Sequence, residues 1–282
     1  MFELKVRLIS ILGFLAILVI AGLALDYCGL CRRPVRFGLI AACAGIVAGI
    51  VFTLTAVTPD NDFYGAVFSE AKTTKRVVAL TFDDGPNPPY TNQILDILKE
   101  YHVRATFFLI GQNVERYPEV AKRIAAEGHQ LGNHTYSHID LLQADRKVIE
   151  EEVDRANRVI KHYTGQTPHV VRPPHGFRDA VVLDVMASRG LRVVEWSVSC
   201  RDWTNPGTAL IVERVLSQVR SGSIILLHDG DGIAGALPRA QTVEATRIIV
   251  RELLKRGYEF VTVDEILPAA RRPLLGRGSE EE

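Results

Sequence analysis

Val77-Val78-Ala79-Leu80-Thr81-Phe82-Asp83-Asp84-Gly85-Pro86 is the stretch from which the fold can be read. Its first six residues are apolar or β-branched, without the alternation of a half-solvated strand. Such a run predicts a strand buried on both faces, as in parallel sheets. It ends on Asp-Asp-Gly-Pro. Turn chemistry accounts for Gly85 and Pro86 but not for two carboxylates directly after a buried run. Adjacent side chains at a strand end point in different directions, so Asp83 and Asp84 can take different roles.

Outward from this run the chain alternates. Ile94, Leu95, Ile97 and Leu98 recur at helical spacing up to Tyr101, and 105–110 reads as a second strand. Helices are expected at 120–127, 147–163, 179–189, 208–220 and 239–256, several of them stopping at Gly128, Gly190, Gly222 or Gly257. Strands are expected at 169–172, 192–198, 223–227 and 258–263. This alternation predicts an α/β fold of parallel strands with helical crossovers, either a barrel or an open doubly wound sheet. The unusual polar residues fall just after strands: Asp83 and Asp84, Arg172, Asp202 and Trp203, His228 and Asp229. In both architectures catalytic groups gather at the C-terminal ends of strands, so these groups can converge on one rim.

Three clusters carry chemistry. His134-Thr135-Tyr136-Ser137-His138 places two imidazoles at i and i+4, which a helical turn would bring to one side. Alone, this spacing also describes two surface or core histidines. Joined to Asp83 or Asp84 from a strand end, it makes a two-His, one-carboxylate set that leaves positions open for water. His228 ends the apolar run 224–227, where an imidazole suits a general acid or, equally, a hydrogen-bonded core residue. His102, His129, His162 and His169 lack such context and read as structural.

Together these residues resemble the NodB-homology polysaccharide deacetylases, carbohydrate esterase family four, over residues 75–267, about two-thirds of the chain. Five motifs occur in the family's order: Thr81-Phe82-Asp83-Asp84-Gly85; His134-Thr135-Tyr136-Ser137-His138; Arg172-Pro173-Pro174-His175-Gly176; Arg201-Asp202-Trp203; and Leu226-Leu227-His228-Asp229. The resemblance implies a distorted parallel (β/α) barrel. It implies that Asp83 is the catalytic base and that Asp84, His134 and His138 bind a divalent metal, Zn2+ first, with Co2+, Ni2+ or Mn2+ as alternatives. It implies that Arg172 orients Asp83 and that Asp202 holds His228, the general acid. Trp203 and Leu226 would shape the acetyl pocket. His175 stands where the family usually has Tyr, and its backbone N–H can still serve an oxyanion. Ser199 stands where the fourth motif often begins with an acid. The implied reaction is removal of N-acetyl groups from an amino-sugar polymer. Deacetylation or deformylation of a lipid-linked amino sugar, or O-deacetylation of another glycan, are the nearest alternatives. An Fe(II) oxygenase and an inactive glycan-binding protein are more distant ones.

The N-terminal part differs in kind. Residues 8–25 and 37–57 are two apolar runs near the length of a membrane-crossing helix, and 26–36 between them is polar, with Arg32, Arg33, Pro34 and Arg36. Gly45 and Gly49 form a GxxxG in the second run. Residues 1–60 are therefore expected to be a two-helix membrane anchor, 61–75 a linker or short lead-in, 76–268 the catalytic domain and 269–282 a polar tail. The arginines set against Asp60 and Asp62 place the loop inside and the catalytic domain outside the cell membrane, although Lys5 and Arg7 oppose this. A cleaved signal in the first run fits poorly at Leu23-Ala24-Leu25, and Ile40-Ala41-Ala42-Cys43 sits too early in its run for a lipoprotein box. Lysine plus arginine and aspartate plus glutamate both total 33 of 282 residues, so no net field points to nucleic acid. Of four cysteines, Cys28 and Cys31 read as thiols of the loop, and Cys200 alone lies in the folded domain, so no disulfide framework exists there.

Overall fold

The computed structural model describes residues 33–233 and 237–267, with Val19, Ile20, Gly22 and Tyr27 before them; side chains of 33–41 lie outside this description. Cys28, Cys31 and the tail 269–282 also lie outside it. The chain divides after Val57 into two units.

The first unit contributes helix α1 (Arg33–Val57). Among the described residues no helix is long and apolar enough to cross a membrane. The two expected spans are therefore not supported. Residues 8–25 fall mostly outside the described residues, and the run 37–57 has described side chains only from residue 42.

The second unit is the α/β part. In chain order it holds β1 (Val77–Gly85), α2 (Tyr90–Glu100), β2 (Thr106–Leu109), α3 (Gly111–Arg116), α4 (Pro118–Ala126), β3 (Gln130–Asn133), α5 (Arg146–Thr164) and β4 (Val170–Val171). Then follow α6 (Ala180–Ser188), β5 (Arg192–Val193), β6 (Val198–Ser199), α7 (Thr208–Gln218), β7 (Ile224–His228), α8 (Ala240–Lys255), β8 (Glu259–Phe260) and α9 (Val263–Ile266). The strands form one sheet in the order β5-β4-β3-β2-β1-β7-β6, with β8 paired to the start of β1. Every ladder is parallel. Among the described residues no ladder joins β5 to β6, so the sheet is a half-barrel. Phe68 bridges to Val194 and Glu70 to Ser223 on either side of this gap. Phe68 and Ala71 of the lead-in 61–75 thereby pack into the core around Ala79, Val170 and Val194.

β1 is the axis of the sheet, and its period of two sorts its side chains. Val78, Leu80 and Phe82 enter the core beneath the helices, with Ile94, Leu98, Ile249 and Leu253; Phe82 stacks on Phe107 at 5.1 Å. Ala79, Thr81 and Asp83 alternate with them and belong to the opposite, inner face. The strand expected at 77–82 continues through Asp83 and Asp84 to Gly85. Its register with β2 shifts between Asp83 and Gly85, and Asp84 there has φ 74°. This bulge turns the two neighbouring carboxylates apart.

Candidate active site

Strand pairing assembles the site. Across the β1–β7 ladder Asp83 is the direct partner of His228. Asn133 pairs with Val171, which sets His134 beside Arg172 one residue further along both strands. The strand ends thus collect groups that lie far apart in sequence.

Arg172 is fully buried. Its Nη1 donates to Asp83 Oδ1 at 2.7 Å and to Thr81 Oγ1 at 2.9 Å, its Nε to Val194 O at 3.0 Å and its Nη2 to Glu195 O at 2.9 Å. The guanidinium also lies 4.2 Å from the centre of the Phe108 ring. A buried cation is costly unless paired and hydrogen-bonded, and here it is paired with Asp83 and makes four hydrogen bonds. Thr81 and Asp83 reach it because they share the inner face of β1.

Asp84, His134 and His138 form the second cluster, with one ligand atom from each within 4.8 Å of the others. Asp84 Oδ1 is 3.4 Å from His134 Nε2 and 3.1 Å from His138 Nε2. Asp84 Oδ2 accepts from the backbone N–H of Gly232 at 3.0 Å, whereas among the described residues the buried Oδ1 accepts no hydrogen bond. His134 Nδ1 is 2.6 Å from the carbonyl of Arg172. A carbonyl only accepts, so Nδ1 carries a proton, and Nε2 is the nitrogen left to face Asp84 and, once deprotonated, to bind a cation. An orphaned buried carboxylate oxygen facing such nitrogens fits a divalent cation. Burial opposes the charge on Asp84, but His134 and His138 outweigh it and hold the carboxyl well below its ordinary range. Burial likewise opposes the imidazolium of His134, and Asp83 and Asp84 reverse this, raising its pKa.

The segment 134–138 is not the helical turn expected from its spacing. It is an irregular loop in which Thr135 and His138 have φ of 64° and 56°. Thr135 Oγ1 accepts from the N–H of His138, and Glu152 of α5 accepts from the N–H groups of Tyr136 and Ser137 and from the Ser137 hydroxyl. This tertiary carboxylate does the holding that helical hydrogen bonds would have done.

His228 and Asp202 form the third cluster. Asp202 Oδ1 is 2.8 Å from His228 Nδ1, while Oδ2 accepts from the His228 N–H at 2.8 Å and from Thr242 Oγ1 at 2.9 Å. Burial disfavours the charged ring, but the Asp202 carboxylate wins and the pKa is pushed up to about 9. Trp203 packs edge-on to His228 at 5.2 Å, and His175 edge-on to His138 at 5.0 Å. Leu226 is buried two residues before His228, on the same face of β7.

Sequence reasoning missed the supports. Asn113 of α3 donates to the carbonyls of Asp84 and Gly232, and Thr242 and Glu152 act as described above. Asp229, named in the sequence only as a polar residue after a strand and part of the fifth motif, is fully buried and accepts from Thr91 Oγ1 at 2.5 Å; burial raises its pKa to about 7, with Asp84 adding to the effect. Of these only Asp229 carried a local signal, following His228 after an apolar run.

The polysaccharide deacetylase family model matches residues 70–194. A peptidoglycan-N-acetylglucosamine deacetylase of Bacillus cereus is 40% identical over 205 residues, covering 72% of this chain and 93% of the relative. A chitooligosaccharide deacetylase of Rhizobium leguminosarum bv. trifolii is 43% identical, covering 68% and 93%. The crystal structure of a peptidoglycan N-acetylglucosamine deacetylase in complex with 4-naphthalen-1-yl-N-oxidanyl-benzamide superposes with a TM-score of 0.67 at 34% identity, covering 71% of this chain and 92% of that one. A parallel half-barrel with the five motifs at its strand ends, and identity of this order along nearly the whole of such relatives, place the chain in the polysaccharide deacetylase family.

Proposed function

We propose that this chain hydrolyses the N-acetyl groups of an amino-sugar glycan of the peptidoglycan, chitin-like or poly-N-acetylglucosamine type, releasing acetate and a free amine. One observation carries the reading. The orphaned Asp84 Oδ1, facing His134 and His138, is flanked by an Arg172-held carboxylate and an Asp202-held imidazole. That is a cation site with a base and an acid beside it.

Asp84, His134 and His138 would hold a divalent ion, Zn2+ by the nitrogen-rich donor set, with Co2+, Ni2+ or Mn2+ as alternatives. When bound, such an ion would supply Lewis acidity toward the amide carbonyl and toward water. Asp83, fixed by Arg172, accepts the proton of the attacking water. The backbone N–H of His175 donates to the developing oxyanion. His228, with Nδ1 committed to Asp202, presents Nε2 and protonates the departing amine. Trp203 and Leu226 wall the acetyl methyl. The test is acetate release by the full chain from a panel of N-acetylated glycans, before and after chelation. Acetate is expected from at least one amino-sugar polymer, with loss on chelation and recovery on adding Zn2+. Formate release, or activity only on O-acetyl or lipid-linked sugars, would move the reading to those substrates.

We also propose that the apolar N-terminal runs 8–25 and 37–57 anchor the chain in the cell membrane with the catalytic unit outside. The apolar character of both runs supports this, as do Val47, Val51, Phe52 and Leu54 on α1, which are all about half exposed. A reporter fused after Glu282 should be active only outside the cytoplasm, and one inserted near Arg33 only inside. The reverse pattern overturns the orientation.

A further inference from the structure

The turn that carries His175 rests on a buried Arg178–Glu195 contact that the chemistry above leaves unused. Pro174–Gly176 is a single 3-10 turn with two successive left-handed residues, His175 at φ 62° and Gly176 at φ 71°. A non-glycine residue in that region is strained by about 1–3 kcal/mol and persists only where its surroundings enforce it. The enforcement is visible on both sides of the turn. A Cβ on Gly176 would lie 2.7 Å from Glu195 Oε2 and 2.8 Å from the Trp196 ring, so the backbone of the turn lies directly on these two side chains. From the other direction Arg178, 1% exposed, donates Nη1 to the carbonyl of Gly176 at 2.8 Å. Its Nη2 donates to the carbonyls of Thr58, Pro59 and Asn61 at 2.6, 3.2 and 2.8 Å. Arg178 Nη1 is also 3.7 Å from Glu195 Oε1, and among the described residues neither Glu195 oxygen has a hydrogen-bond partner. Finally, Glu195 lends its own carbonyl to Arg172, which holds Asp83.

We infer that Arg178 is a positioning residue for the oxyanion-binding turn: its guanidinium fork clamps Gly176 to the chain at residues 58–61 against Glu195 and Trp196, and so fixes where the His175 N–H points. This rests on the deacetylase reading for the role of that N–H. Only a planar fork does this. The two arms reach acceptors in separate segments at once, whereas an ammonium at the end of a lysine serves one group of acceptors or the other. It follows that the residues directly after Val57 belong to the scaffold of the active site rather than to a spacer. Hydrogen bonds to buried carbonyls fix geometry, and small misplacements near reacting atoms cost rate rather than affinity.

The experiment compares the full-length wild type with Arg178→Lys, which keeps a positive charge opposite Glu195. Expected are unchanged metal content, KM within twofold of wild type and kcat lower by roughly tenfold to a hundredfold. Hydrogen exchange of the amides at 175–177 should quicken by at least about tenfold, as a loosened segment requires. Should Arg178→Lys not fold, Arg178→Met/Glu195→Leu removes both buried polar groups together, a replacement buried pairs tolerate, and the same readings apply. A folded, metal-loaded variant with wild-type kcat and exchange overturns the inference. So does a rise in KM at constant kcat, which would make Arg178 a substrate-binding group. Quickened exchange in a chain whose wild type releases no acetate would sink the deacetylase reading while leaving the clamp in place.

Discussion

Replacing His134 by alanine is expected to abolish metal binding and acetate release together, the latter by more than about a thousandfold, in a protein that still folds. Two of the three candidate ligands then remain, and Asp84 loses one of the two imidazoles that face its unpartnered oxygen. The fold should tolerate the change. The His134 ring makes one hydrogen bond to the backbone, from Nδ1 to the Arg172 carbonyl, worth about 1 kcal/mol. The three apolar cores of the α/β unit do not include it. Asp84→Asn should act similarly for a different reason: it keeps volume but removes the charge that attracts the cation. Metal content by elemental analysis, thermal unfolding and acetate release must be read on the same samples. The idea fails if His134→Ala retains stoichiometric metal, or retains activity without it. Protons should compete with the ion as well. The folded, metal-free protein favours protonated His134 because Asp83 and Asp84 lie beside it. Metal affinity should therefore fall as the pH is lowered.

These candidate ligands stand out in the sequence because short motifs keep them together, but the reason for their convergence does not. The i, i+4 spacing of His134 and His138 pointed to a helix, whereas Glu152, fourteen residues beyond His138, holds a left-handed loop instead. Nothing local marks that carboxylate among the neighbouring acids of α5. The separation of Asp83 from Asp84 was anticipated as a property of a strand end; it arises from a bulge at Asp84, whose register depends on β2. The fold shows the same division. Long periodic helices such as α5 and α8 fall within a residue or so of their expected limits, because an amphipathic face is written into consecutive turns. β3 was invisible because Gln130-Leu131-Gly132-Asn133 has no apolar run. Its glycine is required by packing alone: a Cβ on Gly132 would lie 2.4 Å from the Phe108 ring. The single strand expected at 192–198 is two, because Glu195 leaves its neighbours to bond Phe68. Tertiary partners decide such elements, and single-sequence patterns do not contain them.

The second large effect is expected from Asp202→Asn, which should lower kcat by roughly a hundredfold to ten-thousandfold and move the alkaline limb of the pH–rate profile downward. In the folded protein His228 is held at a pKa of about 9 because Asp202 overcomes the effect of burial. Below that value the ring is charged, and Nε2 carries the proton that the proposed mechanism delivers to the amine. The wild-type rate should therefore fall only as pH rises through about 9. The asparagine removes the charge and leaves burial to act alone, and burial favours the neutral ring. The limb should shift down by roughly one to three pH units. Hydrogen-bond accounting strengthens the expectation. The Asp202 carboxylate serves the His228 ring, the His228 N–H and the Thr242 hydroxyl, while an amide offers one accepting oxygen. If that oxygen keeps the N–H and Thr242, the amide NH2 faces Nδ1, which must then accept. The proton is left on Nε2 of a neutral ring, a far weaker acid. Stability follows the same pair with a definite sign. Because the folded pKa lies above the unfolded value of 6.5, the contribution is complete below pH 6.5 and is lost as pH rises through about 9. The difference in unfolding midpoint between wild type and Asp202→Asn should thus be widest in mild acid and should shrink above pH 9. An alkaline limb that stays in place in Asp202→Asn, at unchanged metal content, would show that the proton donor is another group. Water acidified at the Asp84–His134–His138 site would then be the first to examine.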